Sequence, residues 1–406
     1  MSDTAHNNKN NNVDRDAIHE AAVSMAEKYG DEHRYIIEPY DILAKCWAND
    51  KQVSEGGLTV VIERSIFDRI RIMGEVLQAI KDDPKILEVP ITKPIFIIGY
   101  MRTGSTLLHN IIEKDVNHFV PPLWQLAEPL PIPDGKEKSD DPRILGVKNF
   151  SEHYNQIPGW LQKHQAFTPY ALEECSGQLG KTGCMKELLL GGQNIEEYTQ
   201  WYEQLKDEWK VSMYEYYKKE LQLLAYKQGF GSRTYVRKDA QHMANMPALL
   251  RVFPGARTVN SIRNPIQTIG SICSMSYTVN QAYYTPDNLD LEAMGKRILR
   301  NADHIINTYM DYREATDGPD KSSANVVDVY YNDLVGDPKG TLEKIYTKFN
   351  IELTQETLDN VQHYLEENQQ NKHGKHVYDI STYGLTEDEI KRVFKRYIEY
   401  FNVDCN

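Results

Sequence analysis

Positive charge is in short supply in this sequence: 46 Lys and Arg stand against 59 Asp and Glu in 406 residues, a formal charge of −13. That balance excludes a chain that coats nucleic acid or an anionic membrane surface, since either needs a basic footprint. No nucleic-acid partner is expected, and an anionic ligand must be met by a few placed cations. Cysteine is sparse too: the five, at 46, 175, 184, 273 and 405, form no CxxC and no metal-ligand spacing. They read as reduced thiols of a cytoplasmic protein. No apolar run approaches the roughly 20 residues of a membrane span. The start, MSDTAHNNKNNNVDRD, lacks the basic-then-apolar build of a secretory signal, so the NxS sequon at 149–151 means little.

What is present is an ordinary globular composition, 40% hydrophobic and 26% charged, on a chain long enough to bury a real core. Tyrosine dominates the aromatics, with 26 against 10 Phe and 5 Trp. Its rings suit a pocket with a polar tip or half-buried helix packing equally well. Residues 1–13 are polar and Asn-rich and are expected to form a disordered tail. From 14 to 92 the chain reads as a helical extension: Ile18, Ala21, Ala22, Met25 and Ala26 share one face, and Val61, Ile62, Ile66 and Ile70 recur later.

At 94–100 the character changes to PIFIIGY, a short continuous β-branched run that suits a strand buried on both faces of a parallel sheet. Further strands are expected at 234–237, 257–262 and 326–331. Asn264-Pro265 and Asp337-Pro338 then offer an N-cap with Pro at the first helical position. Strands alternating with helices indicate a parallel α/β sheet. Between about 120 and 230 lies an inserted, largely helical region that we expect on the substrate side. The stretch 386–401 has a capping box, Thr386 with Glu389, and an apolar stripe suited to packing.

The most informative residues are Gly99-Tyr100-Met101-Arg102-Thr103-Gly104-Ser105-Thr106, between the best strand and its helix. A Gly-containing turn there aims backbone N–H groups at a helix N-terminus, and the hydroxyls of Thr103, Ser105 and Thr106 add donors for a phosphate. The spacing matches GxxxxGK[ST] except that Ser105 stands where nucleotide triphosphatases have Lys, which counts against ATP or GTP hydrolysis. Arg102 supplies a cation inside the loop instead. A second anion element follows the third expected strand: Arg263, then Asn264-Pro265, then Ser271 eight residues after the Arg. Adjacent parallel strands could bring both into one crevice, and two phosphate sites a nucleoside apart describe a bisphosphorylated nucleotide.

These residues resemble a known family. FIIGYMRTGSTLLHNII looks like the 5′-phosphosulfate loop, and SIRNPIQTIGSICSM like the 3′-phosphate element, of sulfotransferases that use 3′-phosphoadenosine 5′-phosphosulfate (PAPS). VDVYYNDLVGDPKGTLEKIY is similar to the family's late strand and DP-initiated helix, and YVRKDAQHM to the KDP or KSPxH segment of tyrosylprotein sulfotransferases and their bacterial small-molecule relatives. With PPLWQLAEPLPIP, the EEC at 173–175 and HGKHVYDISTYGL, the resemblance covers about 93–385. Arg at 102, where the cytosolic branch carries Lys, sides with the tyrosylprotein and bacterial branch.

The resemblance implies a three-layer P-loop-like α/β core, spanning 93–406, and a sulfuryl transfer without a metal or a covalent intermediate. Arg102 would meet the 5′-phosphosulfate, with Gly99, Thr103, Gly104, Ser105 and Thr106 as the cradle; Arg263 and Ser271 would clamp the 3′-phosphate. Lys238 would stabilise the transferring group, and Tyr331 and Lys375 would reach the nucleotide. Product nucleotide would be adenosine 3′,5′-bisphosphate (PAP). At 239–240 the usual Pro is missing, which puts local geometry in question. For the general base, His164 is the first choice, with Glu128, Glu173 and Glu174 as alternatives; relatives often have Glu where this chain has Gln125, which cannot take a proton.

His109, on an apolar helix face, reads as a core residue. His373 and His376 flank Lys375 without a third metal ligand. The acceptor is expected to be a small molecule, and tyrosines 198, 202, 214, 216 and 217 lean towards an aromatic or amphipathic one. Two rivals stay open at this point: a P-loop kinase, which predicts Mg²⁺ dependence, and a non-catalytic nucleotide-binding protein. Oligomeric state has no signature in the sequence.

Overall fold

The computed structural model describes residues 13–164, 166–185, 192–368 and 379–405. Five strands, β1 (Ile95–Ile98), β2 (His118–Phe119), β3 (Thr234–Lys238), β4 (Arg257–Ile262) and β5 (Val326–Tyr330), form one sheet in the order β2-β3-β1-β4-β5. Every pairing is parallel. β1 sits at the centre with all four side chains fully buried, which is why its sequence lacks the alternation of a half-exposed strand. Ile95 and Ile97 pack with Leu108, Ile111 and Ile112 of the helix Ser105–Glu113 and with Leu342 and Ile345 of the helix Pro338–Phe349. Phe96 and Ile98 enter the opposite core with Tyr235, Leu249, Ile269 and Ile305. Each of these four β1 side chains contributes roughly 1.5–3 kcal/mol on leaving water, and together they fix the expected three-layer sandwich around the sheet.

Register sets the function-bearing edge. Ile97 pairs with Lys238 on one side and Val259 on the other, so β1 and β3 end within a residue of each other while β4 runs on to Ile262. Gly99 therefore leaves the sheet beside Lys238, and Arg263 follows further along at the same carboxyl end. β2 was not foreseen, because two residues carry no periodicity; His118 is held there by its own Nδ1 contact with the Ile112 carbonyl (2.7 Å).

The N-terminal helices Arg15–Tyr29, Ile37–Asn49 and Asp68–Asp82 share the larger core with the inserted helices and the sheet. Asp14 caps the first by accepting from Ala17 N (2.9 Å). The extension is pinned to the rest of the chain where Tyr284 donates to Asp50 Oδ2 (2.7 Å) and where Gly57 lies so close to Tyr283 that a Cβ would stand 2.3 Å from its carbonyl oxygen.

In the insertion, the helix Asp207–Tyr226 is polar in sequence yet buries eleven residues. The tyrosines at 198, 202, 214, 216 and 217, read from the sequence as leaning towards an aromatic acceptor, are at most 3% exposed and belong to the core. The hydroxyls of Tyr198, Tyr214, Tyr216 and Tyr217 find internal partners, as with Tyr216 and Glu220 (3.1 Å) or Tyr214 and His242 (2.8 Å). Burial of rings with satisfied tips won over pocket lining. The expected C-terminal helix divides at Phe394 into Glu387–Val393, with its capping box, and Lys395–Phe401.

Candidate active site

The loop after β1 is shaped by close approach. Gly99 has φ 121°, and a Cβ there would lie 2.3 Å from Ser261 Oγ and 2.6 Å from the Ser261 carbonyl oxygen on β4, so only glycine fits. Gly104, at φ 90°, is the N-cap of the helix Ser105–Glu113 and offers no side-chain cap, which leaves the first N–H groups of that helix without a side-chain acceptor. Thr103 is turned inward: its hydroxyl donates to the Tyr100 carbonyl (2.6 Å) and shares a hydrogen bond with Ser261 Oγ. The sequence expectation that this hydroxyl joins the cradle is corrected to that extent; Ser105 and Thr106 keep the outward positions.

Arg102 holds a left-handed backbone, φ 67°, a conformation costing a non-glycine residue about 1–3 kcal/mol. Its Nε donates to Ser271 Oγ (2.9 Å), and its carbonyl accepts from Arg263 Nη1 (2.8 Å). Ser271 lies on the helix Pro265–Asn280, which Asn264 caps through its Oδ1. The Arg263 guanidinium stacks 4.0 Å from the Tyr331 ring centre, and that ring packs against Gly104. Two elements 161 residues apart in sequence, the loop after β1 and the turn after β4, thus meet as one cationic corner.

The bracing of this corner was not legible in the sequence. Tyr397 accepts the Arg263 backbone N–H (3.2 Å), and Phe394 packs edge-on to Tyr100. The C-terminal helices therefore hold the loop and the Arg in place, beyond the plain packing expected of them. Ser261, a small residue two before Arg263, likewise gave no signal.

Lys238 ends β3 and is 4% exposed. Its Nζ donates to Glu174 Oε1 (3.2 Å) and reaches Thr106 Oγ1 (3.5 Å). Asp239 instead caps the following turn through Gln241 N (2.9 Å), so the chain turns there without the usual Pro. The Lys238 carbonyl accepts from Cys175 N (3.0 Å), which fastens the EEC segment beside the strand end. Behind it, Cys175, His242, Tyr214, Tyr217 and Arg237 form a buried network. Burial pushes the Cys175 thiol up from its ordinary pKa, with the Arg237 charge opposing. His109, fully buried, is held well below the ordinary histidine pKa by burial and by the charges of Lys238 and Arg237.

The four base candidates fall in different surroundings. His164 packs against the rings of Trp160 (4.7 Å) and Phe167 (4.9 Å), which also touch each other (5.0 Å). Glu128 accepts from Arg71 Nη2 (3.3 Å) on the N-terminal extension, and Glu173 accepts from Glu174 N (3.3 Å). Glu174 alone of the four has a hydrogen bond to Lys238. Gln125 is buried against Gln228 (3.4 Å). Lys375, His373 and His376 lie outside the described residues.

A cavity of about 550 Å³ opens from the helix N-terminus, lined among others by Gly104, Thr106, Leu107, Asn110, Tyr170 and Tyr331. Arg102, Lys238 and Arg263 are not part of its wall; they stand at its loop end through Gly104, Thr106 and Tyr331. Among the described residues no group of three or more His, Cys, Asp or Glu side chains is gathered to hold a metal ion.

Residues 94–356 of this chain match the model of the Sulfotransferase family. The chain belongs to that family. The match spans all five strands, the loop after β1 and the element after β4, and this sulfotransferase is an enzyme of sulfuryl transfer. It is 23% identical over 323 residues to omega-hydroxy-beta-dihydromenaquinone-9 sulfotransferase Stf3 of Mycobacterium tuberculosis and of Mycobacterium bovis, covering 75% of this chain and 74% of the relative. Among solved structures, sulfotransferase STF9 from Mycobacterium avium superposes with a TM-score of 0.79 at 21% identity, covering 99% of each chain. Sulfotransferase STF1 from Mycobacterium tuberculosis H37Rv gives 0.77 at 23% identity, over 95% of this chain and 98% of its own. At such identities the likeness is one of fold, and it takes in the helical extension and the insertion along with the sheet.

Proposed function

We propose that this sulfotransferase moves a sulfuryl group from PAPS to a hydroxyl, phenol or amine of a small molecule and releases PAP. The observation that carries this reading is the chain Ser271–Arg102–Arg263, which joins the loop after β1 to the element after β4. A single phosphate would need one of these elements; a nucleotide with anions at both ends needs the two together. Their donor set fits: two guanidinium groups, a hydroxyl and the open N–H groups of a helix N-terminus suit anions and nothing cationic.

In this reading Arg102, Gly99, Thr103, Gly104, Ser105 and Thr106 hold the 5′-phosphosulfate, with Thr103 acting through its backbone. Arg263 and Ser271 hold the 3′-phosphate, and Tyr331 and Lys375 reach the nucleoside. Lys238 supplies the charge that steadies the transferring group and the leaving phosphate oxygen. Sulfuryl transfer asks chiefly for positioning and charge stabilisation, which is what these side chains offer. Residues 14–92 are the helical extension and 93–406 the catalytic unit, whose insertion at about 120–230 receives the acceptor.

An amphipathic acceptor is supported by two things. Four of the six exposed large apolar side chains among the described residues, Leu145, Phe150, Leu161 and Tyr170, belong to the insertion, and Tyr170 lies on the cavity wall. The relative from Mycobacterium tuberculosis is named for an omega-hydroxylated menaquinone derivative. We assign the reaction to the cytoplasm, a reading supported by five free cysteines; no helix among the described residues is long and apolar enough to cross a membrane.

The test is incubation with sulfur-labelled PAPS, EDTA and a panel of alcohols, phenols and amines. Labelled sulfated product that forms with the chelator present supports the reading; activity that needs Mg²⁺ and a nucleoside triphosphate instead overturns it.

A further inference from the structure

Four side chains are candidates for the group that takes the acceptor's proton, and the structure separates them. Glu174 is joined to the transfer site on two sides. Its Oε1 accepts from Lys238 Nζ, which also reaches Thr106 on the phosphate loop, and its neighbour Cys175 is tied by its backbone to the Lys238 carbonyl. The carboxylate side chain is 27% exposed while Lys238 beside it is 6% exposed, so the carboxylate is partly accessible beside a buried cation. Glu128 is paired with Arg71, and His164 packs in a cluster with the rings of Trp160 and Phe167.

We infer that Glu174 is the general base of this sulfotransferase, taking the acceptor proton beside Lys238. This rests on the sulfuryl-transfer reading above. In the step, the acceptor oxygen forms its bond to sulfur while the bond between sulfur and the 5′-phosphate oxygen breaks. The electron pair of the breaking bond leaves with the phosphate, and the acceptor's proton passes to the Glu174 carboxylate. Nothing else is consumed.

A carboxylate paired with lysine is a weak base, and a weak base is sufficient here. If sulfuryl transfer resembles phosphoryl transfer in having a loose transition state, it demands little nucleophilicity, and the acceptor oxygen becomes acidic only as sulfur bonds to it. Pairing also resolves during the reaction. When Lys238 turns its charge to the donor, the Glu174 carboxylate loses its cation and gains basicity at the moment a proton must be taken. The groups around it are Lys238 on β3, Glu173 next in the chain, and His109 on the loop helix, which is held neutral and so adds no competing positive charge.

The decisive variant is Glu174→Gln, which keeps the shape and removes the basicity. With a series of substituted phenols and PAPS, kcat is expected to fall by about 10²–10³-fold, and the fall is expected to shrink as the phenol becomes more acidic. The acid limb of the wild-type pH–rate profile should disappear in Glu174→Gln and persist in His164→Asn. Calorimetry supplies a readout independent of turnover: PAP affinity in Glu174→Gln should be unchanged or tighter, since a negative charge leaves the neighbourhood of a polyanion. Turnover within threefold of wild type overturns the inference, as does an acid limb near pH 6.5 that His164→Asn abolishes. PAP binding weakened more than tenfold would make Glu174 a clamp for Lys238 and overturn it too. A wild-type protein that sulfates nothing overturns the functional reading itself, and this inference with it.

Discussion

Nε of Arg102 lies 2.9 Å from Oγ of Ser271, although 169 residues separate them, and Arg263 holds the Arg102 carbonyl from the other side. The two ends of a bisphosphorylated nucleotide would therefore be sensed by side chains already in contact. Arg263→Ala removes the guanidinium from this corner. A hydrogen bond to a charged group contributes about 1.5–3 kcal/mol, so PAP affinity by calorimetry should weaken by about ten- to a hundredfold. Adenosine 5′-monophosphate, which has no 3′-phosphate, should lose far less. Unchanged affinity for PAP would sink the 3′-phosphate assignment.

Lys238 differs from Arg263 in being buried at a strand end beside Glu174 and Thr106. A cation placed there acts mostly on charge that develops during transfer. Lys238→Ala should lower kcat by about 10²–10³-fold while PAP affinity changes by less than tenfold. Losses of equal size in kcat and in binding would show that the lysine serves ground-state binding instead.

Much of this architecture is written locally. PIFIIGY announces a doubly buried strand, Gly99 and Gly104 mark the turn that follows, and the spacing from Arg263 to Ser271 survives folding because Arg263 stands just before a Pro-initiated helix and Ser271 lies on it. What the sequence hides is contact between distant segments. Glu174 and Lys238 are 64 residues apart, and no periodicity links them. The tyrosines of the helix Asp207–Tyr226 look like a binding surface in one dimension and prove to be core once Glu220 and His242 supply their hydroxyl partners. The hydroxyl of Thr103 reads as a ligand donor until β4 brings Ser261 beside it. Tyr397 and Phe394 read as packing, which they are, but what they pack against is the site.

Lys181 and Glu220 form a buried ion pair (2.7 Å) in the insertion, each under 4% exposed at the side chain. Lys181 also donates to the Leu126 carbonyl (3.1 Å), and Glu220 accepts from Gln178 and Tyr216. Burial lowers the Lys181 pKa while the Glu220 charge opposes it. Removing one partner strands the other charge in the core, so Lys181→Met and Glu220→Gln should each cost about 3–5 kcal/mol. The pair Lys181→Met/Glu220→Leu should cost clearly less than the sum, because no lone charge remains. Additive losses in urea unfolding would mean that the two charges do not depend on each other.

Stability should fall in mild acid through buried histidines. His33, 4% exposed, has its pKa drawn down to about 4 by burial and by the nearby Lys219 charge, with Glu32 opposing; His109 is depressed in the same direction. Between pH 6.5 and 4 the unfolded chain binds a proton at His33 that the folded chain refuses. Unfolding then gains as pH falls, so the stability contributed above pH 6.5 is lost progressively towards pH 4. The urea midpoint should drop from pH 7 to pH 5, and His33→Gln, whose side chain does not titrate, should show a smaller drop over the same interval. A midpoint that holds steady across that range in the wild type, or an undiminished slope in His33→Gln, would place the acid sensitivity elsewhere.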